Sequence, residues 1–447
     1  MSPRAESIKS KLEKGPLSAK QLVDMIGVSQ PTISRAIAEL EHKVVSISEK
    51  KSIQYALRDT SRKLTDMPIF RIDADGLIRQ LGTLIPVRPE GFVMQEVKGS
   101  SLHSDGLPWW LFDMRPQGYL GRAYAAQYGN RLQLPERLSD WTDTHALQAL
   151  LAYGHDTAGN LLIGETARHH CLNSPIPQPI AIEKKGEEYA RLAVAVLEGG
   201  GAGSSAGGEQ PKFTTYAMTP TGTHHAIIKF SEREVGPVSE RWRDLLLAEH
   251  VALETLREAG IAAAQTDIID HEGQRFLEVI RFDRIGPLGR CALFSLAALD
   301  AEFVGSGKGG WPIIAEQLAA NKIIKKPAVS AAQLLWAFGT LIGNSDMHNG
   351  NLSFISADGR PYDISPAYDM VPMAFAPRTG GGLPNVIAEA QIYTYIPNET
   401  WHLAASLAWT FLNQLKKTSA LSERFTPCLM ALEQHIHIAS AKIARLG

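Results

Sequence analysis

The sequence has few cysteines, no long apolar run and no excess of charge of either sign. Only three of its 447 residues are cysteine (Cys171, Cys291 and Cys428), and they lie far apart in the chain. This spacing argues against a disulfide framework or a paired-cysteine metal site, and it is typical of a reducing compartment. The formal net charge of −2 argues against a chain that binds polyanions over its whole surface, so any nucleic-acid contact must be local.

Segments that would direct the chain to a membrane are also missing. The N-terminal stretch, MSPRAESIKSKLEKG, lacks the apolar core of a signal peptide. No apolar run approaches the ~20 residues that a membrane-spanning helix needs. We therefore expect a cytoplasmic protein without a membrane partner. Its length predicts two to four domains, and its 44% hydrophobic and 21% charged residues are ordinary for a soluble globular protein.

Residues 1–60 have the pattern of a winged helix-turn-helix. Ser18 is placed to cap a helix that Gly27 ends, and Ser29 to cap a second helix with Pro31 in its first turn. The run VVSISEKKSIQYAL then predicts two short strands around a turn. Two helices followed by a β-hairpin are typical of this DNA-binding module.

We expect this module to bind DNA. Residues 1–60 contain ten Lys or Arg and seven Asp or Glu, a modest local excess of positive charge. Lys50 and Lys51 would lie at the tip of the hairpin, where they could contact the DNA backbone. The second helix would expose side chains suited to bases and phosphates, namely Gln30, Thr32, Ser34 and Arg35. The alternative is a module used for protein contacts or dimerisation.

The rest of the chain divides into three predicted regions of an α+β protein. Residues 61–67 are predicted to be a linker, and residues 68–140 alternate short β-like runs with turns, which indicates a small β-rich subdomain. Residues 141–285 are predicted to form a lobe that contains the strongest glycine cluster of the chain. Residues 286–447 are predicted to form a mainly helical lobe.

Two segments of the glycine-containing lobe carry groups suited to binding phosphates. In GGGAGSSAGGEQPKF (199–213), glycines allow backbone N–H groups to approach an anion and Lys212 adds a positive charge, although a glycine-rich linker has the same composition. In AIIKF, Lys229 lies in a hydrophobic strand and could simply point to solvent. Glu249 on the following helix favours the other interpretation, because kinases pair a strand lysine with a helix glutamate. Glu254 is the less favoured partner.

Two polar segments follow in the helical lobe. The loop IGNSDMHNGNLSF (342–354) lies between apolar segments, which favours a functional loop over a surface turn. Its Asp346 and Asn351 are five positions apart, as are the catalytic Asp and the magnesium-binding Asn of protein kinases. In YDISPAYDMVP (362–372), Asp369 is placed to bind the same magnesium, with Asp363 as its rival. The order of the four segments favours a kinase, and the absence of a Walker motif disfavours a P-loop NTPase.

The motifs SAGGEQPK, AIIKF, RFDR (281–284), NSDMHNGN and SPAYDM resemble those of the HipA-type serine/threonine kinases, the toxin halves of bacterial toxin–antitoxin systems. The resemblance covers residues 68–440 and extends to members with a fused N-terminal helix-turn-helix. It implies a protein-kinase-like fold, with a β-rich N-lobe at 141–285 and a helical C-lobe at 286–447, that uses ATP and Mg²⁺ to phosphorylate serine or threonine. It also implies growth inhibition, an antitoxin partner, and a translation component such as an aminoacyl-tRNA synthetase as substrate.

The resemblance further implies roles for individual residues. Asp346 would be the catalytic base, and Asn351 and Asp369 would hold magnesium. Ser205 would be autophosphorylated, which would expel the phosphate loop and switch the enzyme off, with the adjacent Ser204 as the alternative. The following residues would contact ATP: Ala206, Gly207, Gly208, Glu209, Gln210, Pro211, Lys212, Lys229, Ile280, Arg281, Phe282, His348, Asn349, Gly350, Asn351 and Asp369.

Two other classes of function stay open on the residues alone. A transcription regulator could use a kinase-like domain only to sense nucleotide, but such a sensor could lose Lys229, Asp346 and Asp369, which are all present here. A small-molecule phosphotransferase would share the spacing of Asp346 and Asn351. The serines that precede the glycine cluster favour a protein kinase over this third class.

Overall fold

The computed structural model describes residues 1–49, 52–199, 210–307, 310–357 and 359–446. The chain forms two compact units, of which the first comprises Met1–Arg115 and Tyr128–Pro175, and the second comprises Pro116–Gln127 and Ile176–Gly447. Both units combine helices with antiparallel sheets, so the predicted mixed α and β class is confirmed. Across the described ranges, every helix is too short or too polar to span a lipid bilayer.

The first 60 residues form three helices and a small sheet in the described part of the chain. The elements are α1 (Pro3–Leu12), β1 (Leu17–Ser18), α2 (Ala19–Ile26), α3 (Gln30–Leu40), β2 (Val44–Glu49) and β3 (Ser52–Leu57), with strand order β1-β3-β2. Ser18 caps α2 through a capping box with Gln21, and Gly27 ends this helix with a φ of 73°, where glycine has no steric cost. Ser29 lies at the N-cap of α3, but its hydroxyl bonds to the Thr32 hydroxyl instead of a backbone N–H.

A five-stranded sheet forms the second part of the first unit, with order β7-β6-β5-β4-β8. The elements, in chain order, are β4 (Met67–Ile72), β5 (Ile78–Pro86), β6 (Phe92–Glu96), β7 (Ser101–Ser104), α5 (Asp143–Tyr153), β8 (Leu161–Ile163) and α6 (Gly164–Asn173). Helix α4 (Gly118–Tyr128) lies between β7 and α5 in the chain, but all of it except Tyr128 belongs to the second unit. Strand β8 pairs with β4, and Tyr128–Pro175 belong to the first unit. The first unit therefore continues past residue 140, where the sequence predicts a boundary, to Pro175.

The small N-terminal sheet packs directly on this larger sheet. One buried cluster takes residues from both, namely Val45, Ile47, Ala56, Ile85, Val87 and Val93. Arg62 lies in the expected linker, residues 61–67, yet its guanidinium donates to the carbonyls of Val87 and Gly91 at 3.0 and 2.8 Å. It also pairs with the buried Asp59 at 2.7 Å. The segment is therefore a fixed junction inside the first unit and not a free linker.

A four-stranded antiparallel sheet, of order β11-β12-β10-β9, begins the second unit. Its elements are α7 (Lys185–Gly199), β9 (Lys212–Thr219), β10 (Gly222–Phe230), α8 (Pro237–Glu258), β11 (Thr266–His271) and β12 (Gln274–Ile280). Tyr189 of α7 packs with Ile228, whereas Leu246 of α8 packs with Leu277. Because side chains alternate along a strand, α7 and α8 cover opposite faces of this sheet.

The remainder of the second unit is mainly helical. Its elements are β13 (Arg284–Ile285), β14 (Gly289–Arg290), β15 (Ala292–Ser295), α9 (Leu296–Phe303), α10 (Trp311–Ala320), α11 (Pro327–Leu341), β16 (Ser353–Ser356), β17 (Asp363–Ile364), α12 (Asn398–Lys417) and α13 (Thr426–Ile443). A polar loop joins the buried helix α11 to β16, the central strand of the sheet β15-β16-β17. Both ends of this loop are therefore held by core elements.

Candidate active site

Lys229 lies near the end of β10, on the sheet face that α8 covers. Its side chain is buried, and its ammonium donates to the two carboxylate oxygens of Glu249 at 2.6 and 2.8 Å. The same ammonium forms an ion pair with Asp369. Glu254, the less favoured partner, pairs with Arg257 instead, at 2.6 Å. A strand lysine, a helix glutamate and a loop aspartate thus meet at one point of the second unit.

The charges at this point stabilise one another. Burial opposes the charged form of Lys229, but the carboxylates of Asp369 and Glu249 outweigh it and raise the pKa of Lys229. Burial likewise opposes ionisation of Asp369, but Lys229 and then Lys212 lower the pKa of Asp369 to about 2. Lys212 is the strand partner of Lys229 in the register of β9 and β10. At neutral pH, the site therefore holds a fixed cation beside a fixed carboxylate.

Asn344 ties the polar loop to the backbone of Asp369. Its side chain is only 5% exposed. Its Oδ1 accepts the N–H of Asp346 at 3.0 Å, and its Nδ2 donates to the carbonyl of Asp369 at 3.1 Å. The sequence analysis assigned no role to this residue. The available signal was an amide side chain two positions before Asp346, a spacing that allows a bond to the loop's own backbone.

A hydrogen bond links the residues that precede Asn351 and Asp369. The Tyr368 hydroxyl donates to the carbonyl of Gly350 at 2.9 Å. Asn351 Nδ2 donates to the carbonyl of Asp346 at 2.9 Å, which leaves its amide oxygen as the atom for a cation. A carboxylate and an amide oxygen are hard ligands, so this pair fits a magnesium ion that keeps several waters. The rival Asp363 lies on β17 and pairs with Lys325 at 2.7 Å.

The expected hinge residues begin at Ile280, the last residue of β12. The N–H groups of Ile280 and Arg281 donate to the carbonyls of Gln265 and His225, both at 2.9 Å, so the sheet uses both donors. The ring of Phe282 lies 5.6 Å from the ring of Tyr368, the residue before Asp369. Phe282 is thus the hinge residue whose side chain is next to the charged centre. The Arg281 guanidinium pairs with Asp283 at 2.9 Å.

Only the end of the expected phosphate loop is described. Gln210 Nε2 donates to the carbonyl of Phe230 at 2.7 Å, and Phe230 N–H donates to the carbonyl of Pro211 at 3.2 Å. These bonds hold the start of β9 beside the residue that follows Lys229. Ser204, Ser205, Ala206, Gly207, Gly208 and Glu209 lie outside the described residues.

The other expected nucleotide contacts belong to the polar loop. Asn349, Gly350 and Asn351 form a single 3₁₀ turn. His348 Nδ1 accepts the N–H of Gly350 at 3.0 Å, and its carbonyl accepts from the Trp311 indole at 3.1 Å. His348 and Asp346 are exposed, so both side chains are accessible, although the backbone of their loop is held by hydrogen bonds from Asn344 and Trp311.

The expected DNA-contacting residues lie together on α3 of the first unit. Gln30, Ser34 and Arg35 are exposed, and Thr32 is half-buried. The Arg35 guanidinium donates to the carbonyl of Pro31 at 3.3 Å, one turn earlier on the helix. Lys50 and Lys51 lie outside the described residues. The structure therefore places these four side chains on one helix.

Two family models match the chain. The YjjJ-like toxin middle domain matches residues 63–172, and the HipA-like C-terminal domain matches residues 204–434. Among curated proteins, the toxin YjjJ of Escherichia coli is 36% identical over 438 residues, which cover 98% of this chain and 98% of that protein.

Two solved structures are more distant matches. One is HipA of Shewanella oneidensis, solved in a complex of a toxin–antitoxin system with HipB and its operator DNA. It has 18% identity, covers 85% of this chain and 97% of its own, and has a TM-score of 0.48. The other is the proinflammatory kinase CtkA of Helicobacter pylori, with 13% identity, coverage of 55% and 95%, and a TM-score of 0.37.

Proposed function

Because this chain belongs to the family of YjjJ-like toxins with a HipA-like C-terminal domain, we propose that it is an ATP-dependent protein serine/threonine kinase that inhibits growth. The observation that carries the proposal is the joint ion pair of Lys229 with Glu249 and Asp369. It lies in the same unit as the Asp346 loop and is tied to that loop through Asn344. Kinases use such a set to hold phosphates and direct a hydroxyl.

The proposed mechanism is positioning combined with fixed charge. Lys229, kept protonated by its two carboxylate partners, would hold phosphate oxygens. The exposed carboxylate of Asp346 would orient a substrate hydroxyl and accept its proton. Magnesium, bound by Asn351 and Asp369, would neutralise charge on the triphosphate. Lys229 is held by its carboxylate partners and the backbone of the loop by Asn344, and such positioning would lower the entropic cost of reaching the reactive geometry.

Replacement of Asp346 by asparagine tests the kinase proposal. The side chain is exposed, so the variant should fold normally while its ability to accept the hydroxyl proton is lost. We expect phosphate incorporation from ATP, into the chain and into lysate proteins, to fall by about 10²–10⁴-fold. Nucleotide affinity and the circular dichroism spectrum serve as controls. Incorporation at the wild-type rate would contradict the assignment.

We further propose autophosphorylation at Ser205. Support comes from its place two residues before Gly207, in a segment whose end is bonded beside Lys229. Mass spectrometry after incubation with ATP should find phosphate in the peptide containing Ser204 and Ser205, and Ser205→Ala should remove it. Phosphate found at Ser204 alone would reassign the residue, and phosphate at neither would reject the proposal.

We also propose that residues 1–60 form a winged helix-turn-helix that binds DNA, with α3 as the recognition helix. The exposed Gln30, Ser34 and Arg35 support base and phosphate contacts. Binding should weaken as salt rises, because phosphate contacts release counterions. A gel shift with DNA from the gene's own promoter tests this, with Arg35→Ala expected to weaken binding. No shift of wild-type protein at low salt would reject it.

Labelling of a cell lysate with ATP would identify the substrate and partners. We propose a translation component, such as an aminoacyl-tRNA synthetase, as the acceptor in the cytoplasm, and an antitoxin as a further partner. Wild type and Asp346→Asn should be compared side by side. Label in a small molecule instead of protein would replace the protein-kinase proposal, and binding of nucleotide without any transfer would favour a nucleotide-sensing regulator.

A further inference from the structure

Helix α8 carries a buried arginine whose hydrogen bonds, among the described residues, go to the segment that follows Asp369. The Arg241 side chain is 6% exposed. Its Nη1 donates to the backbone carbonyls of Phe375 and Pro384 at 2.9 and 2.7 Å. Its guanidinium carbon lies 5.5 Å from the ring centroid of Phe425. Because a buried guanidinium needs hydrogen-bond partners, these two bonds fix the position of both carbonyls relative to α8.

The two carbonyls belong to the segment that follows Asp369, which we call the brace (residues 370–387). The brace touches the start of the Asp346 loop at two points. Ala374 N–H donates to the carbonyl of Gly343 at 3.0 Å. The Ile387 side chain packs on Gly343, where a Cβ would lie 3.0 Å from Ile387 Cδ1. Gly343 also has a φ of 76°, a conformation that favours glycine, and an added Cβ would crowd Ile387.

Arg241 therefore holds the brace between its two contacts with the Asp346 loop. Phe375 and Pro384 lie within the stretch that Ala374 and Ile387 delimit. The Phe375 ring is fully buried and packs edge-on against Phe425, with ring centroids 5.8 Å apart. Without the guanidinium, the two carbonyls would lose their shared donor, and the brace could shift under the loop.

The same helix also holds the nucleotide cation. Glu249 lies eight residues after Arg241 on α8, about 12 Å along a rigid helix. At one end of this span, Glu249 orients Lys229, and at the other end, Arg241 orients the brace. One helix thus determines where the phosphate-binding cation and the support of the Asp346 loop lie relative to each other.

We propose that Arg241 is a positioning residue for phosphoryl transfer, acting through the brace on the Asp346 loop. The inference rests on the proposed kinase function and adds a residue to it. The carbonyls that Arg241 holds lie in the brace, after Asp369, whereas the expected ATP contacts lie at β9, β10, the hinge and the Asp346 loop. Loss of Arg241 should therefore impair the transfer step and spare ATP affinity.

The test compares Arg241→Gln and Arg241→Lys with Arg243→Gln as the matched control. Arg243 is on the same helix, but its guanidinium donates to the carbonyl of Gly273, in the turn between β11 and β12, at 2.7 Å. For Arg241→Gln, we expect transfer at saturating ATP to fall by about 10–100-fold. The affinity for a fluorescent ATP analogue should change by less than about twofold. Lysine should restore part of the rate, and Arg243→Gln should behave as wild type.

Hydrogen exchange adds a readout that does not depend on activity. Amides of residues 374–387 should exchange faster in Arg241→Gln than in wild type, while those of β10 and β12 should not change. Equal losses of transfer rate and ATP affinity would overturn the inference, and so would wild-type transfer in Arg241→Gln. If Arg241→Gln fails to fold, the same comparison in Arg241→Lys decides. Wild-type protein that transfers no phosphate would instead overturn the proposed function.

Discussion

At the scale of single residues, Asn344 links two parts of the proposed centre. It is buried and bonds to the backbones of both Asp346 and Asp369. Asn344→Leu would leave both backbone groups without these bonds, at a cost of about 1–3 kcal/mol for each buried group. We expect the thermal midpoint to fall and phosphate transfer to drop by about 10–100-fold.

The variant Asn344→Asp distinguishes the effects of the two hydrogen bonds, because it should keep one and lose the other. The aspartate oxygen can still accept the Asp346 N–H, but the donor to the Asp369 carbonyl is lost. Its transfer rate should lie between those of wild type and Asn344→Leu, measured at saturating ATP. Wild-type rates in both variants would show that this side chain does not position the loop.

Asp369 combines its charge with an unusual backbone. Its φ of 53° lies in the left-handed region, which Asn and Asp adopt more readily than other non-glycine residues. Asp369→Asn should therefore fold like wild type while losing transfer, because the charge beside Lys229 is gone. Asp369→Val should lose transfer and also about 1–2 kcal/mol of stability, measured by urea unfolding. Equal stability of the two variants would contradict the backbone argument.

At the scale of elements, a second buried ion pair joins α7 to β12 on the sheet face opposite Lys229. Lys185 donates to Glu278 at 2.8 Å, and the Tyr189 hydroxyl donates to the same carboxylate. All three side chains are buried. Lys185→Met would leave the buried Glu278 carboxylate without its cation, which should lower the free energy of unfolding by about 3–5 kcal/mol. The midpoint of urea unfolding should fall accordingly.

The double variant Lys185→Met, Glu278→Leu provides the control for this pair. With both charges removed, much of the lost stability should return, since an apolar pair avoids the desolvation of ions. A double variant as unstable as Lys185→Met would mean that the damage comes from packing and not from an uncompensated charge.

His435 on α13 makes the second unit sensitive to acid. Its Nε2 donates to the carbonyl of Thr340 on α11 at 3.1 Å, and burial lowers the pKa of His435. The unfolded chain therefore binds a proton more readily, so stability should fall as pH drops below about 6.5. His435→Gln keeps a donor but cannot titrate. Its thermal midpoint should fall less between pH 7.5 and 5.5 than that of wild type, and an unchanged slope would reject this role.

At the scale of the whole molecule, the first unit joins the N-terminal module to the sheet that follows it. Val45 and Ile47 of the module are buried against Ile85, Val87 and Val93. Their exposure in an isolated module would cost about 3–6 kcal/mol, comparable to the total stability of a small domain. We expect residues 1–175 to unfold cooperatively and residues 1–60 alone to be unstable, as measured by circular dichroism during urea titration.

A stable fragment of residues 1–60 would show that the junction at Asp59 and Arg62 contributes little to the stability of the N-terminal module. Arg62→Ala in the fragment 1–175 provides the intermediate case. It removes the ion pair with Asp59 and the bonds to the carbonyls of Val87, Glu90 and Gly91 but leaves the apolar cluster intact. The decrease in its urea-unfolding midpoint should be smaller than the decrease caused by Ile47→Ala, because the guanidinium is partly exposed to water.

The sequence alone determined those features that depend on neighbours within a few positions. The cap at Ser18, the helix end at Gly27 and the strand that carries Lys229 all follow from local geometry. The order of the four phosphate-related segments was likewise readable, because each carries its own residue types.

The tertiary structure decided which distant groups meet. It brings Asp369 and not Asp363 to Lys229. It also adds β8 to the edge of the five-stranded sheet and places two backbone carbonyls beside Arg241. The contact of Arg241 with Phe375 spans 134 positions, and that of Lys229 with Asp369 spans 140. Pairs so far apart leave no periodic or capping signal, since the packing of whole elements places them together.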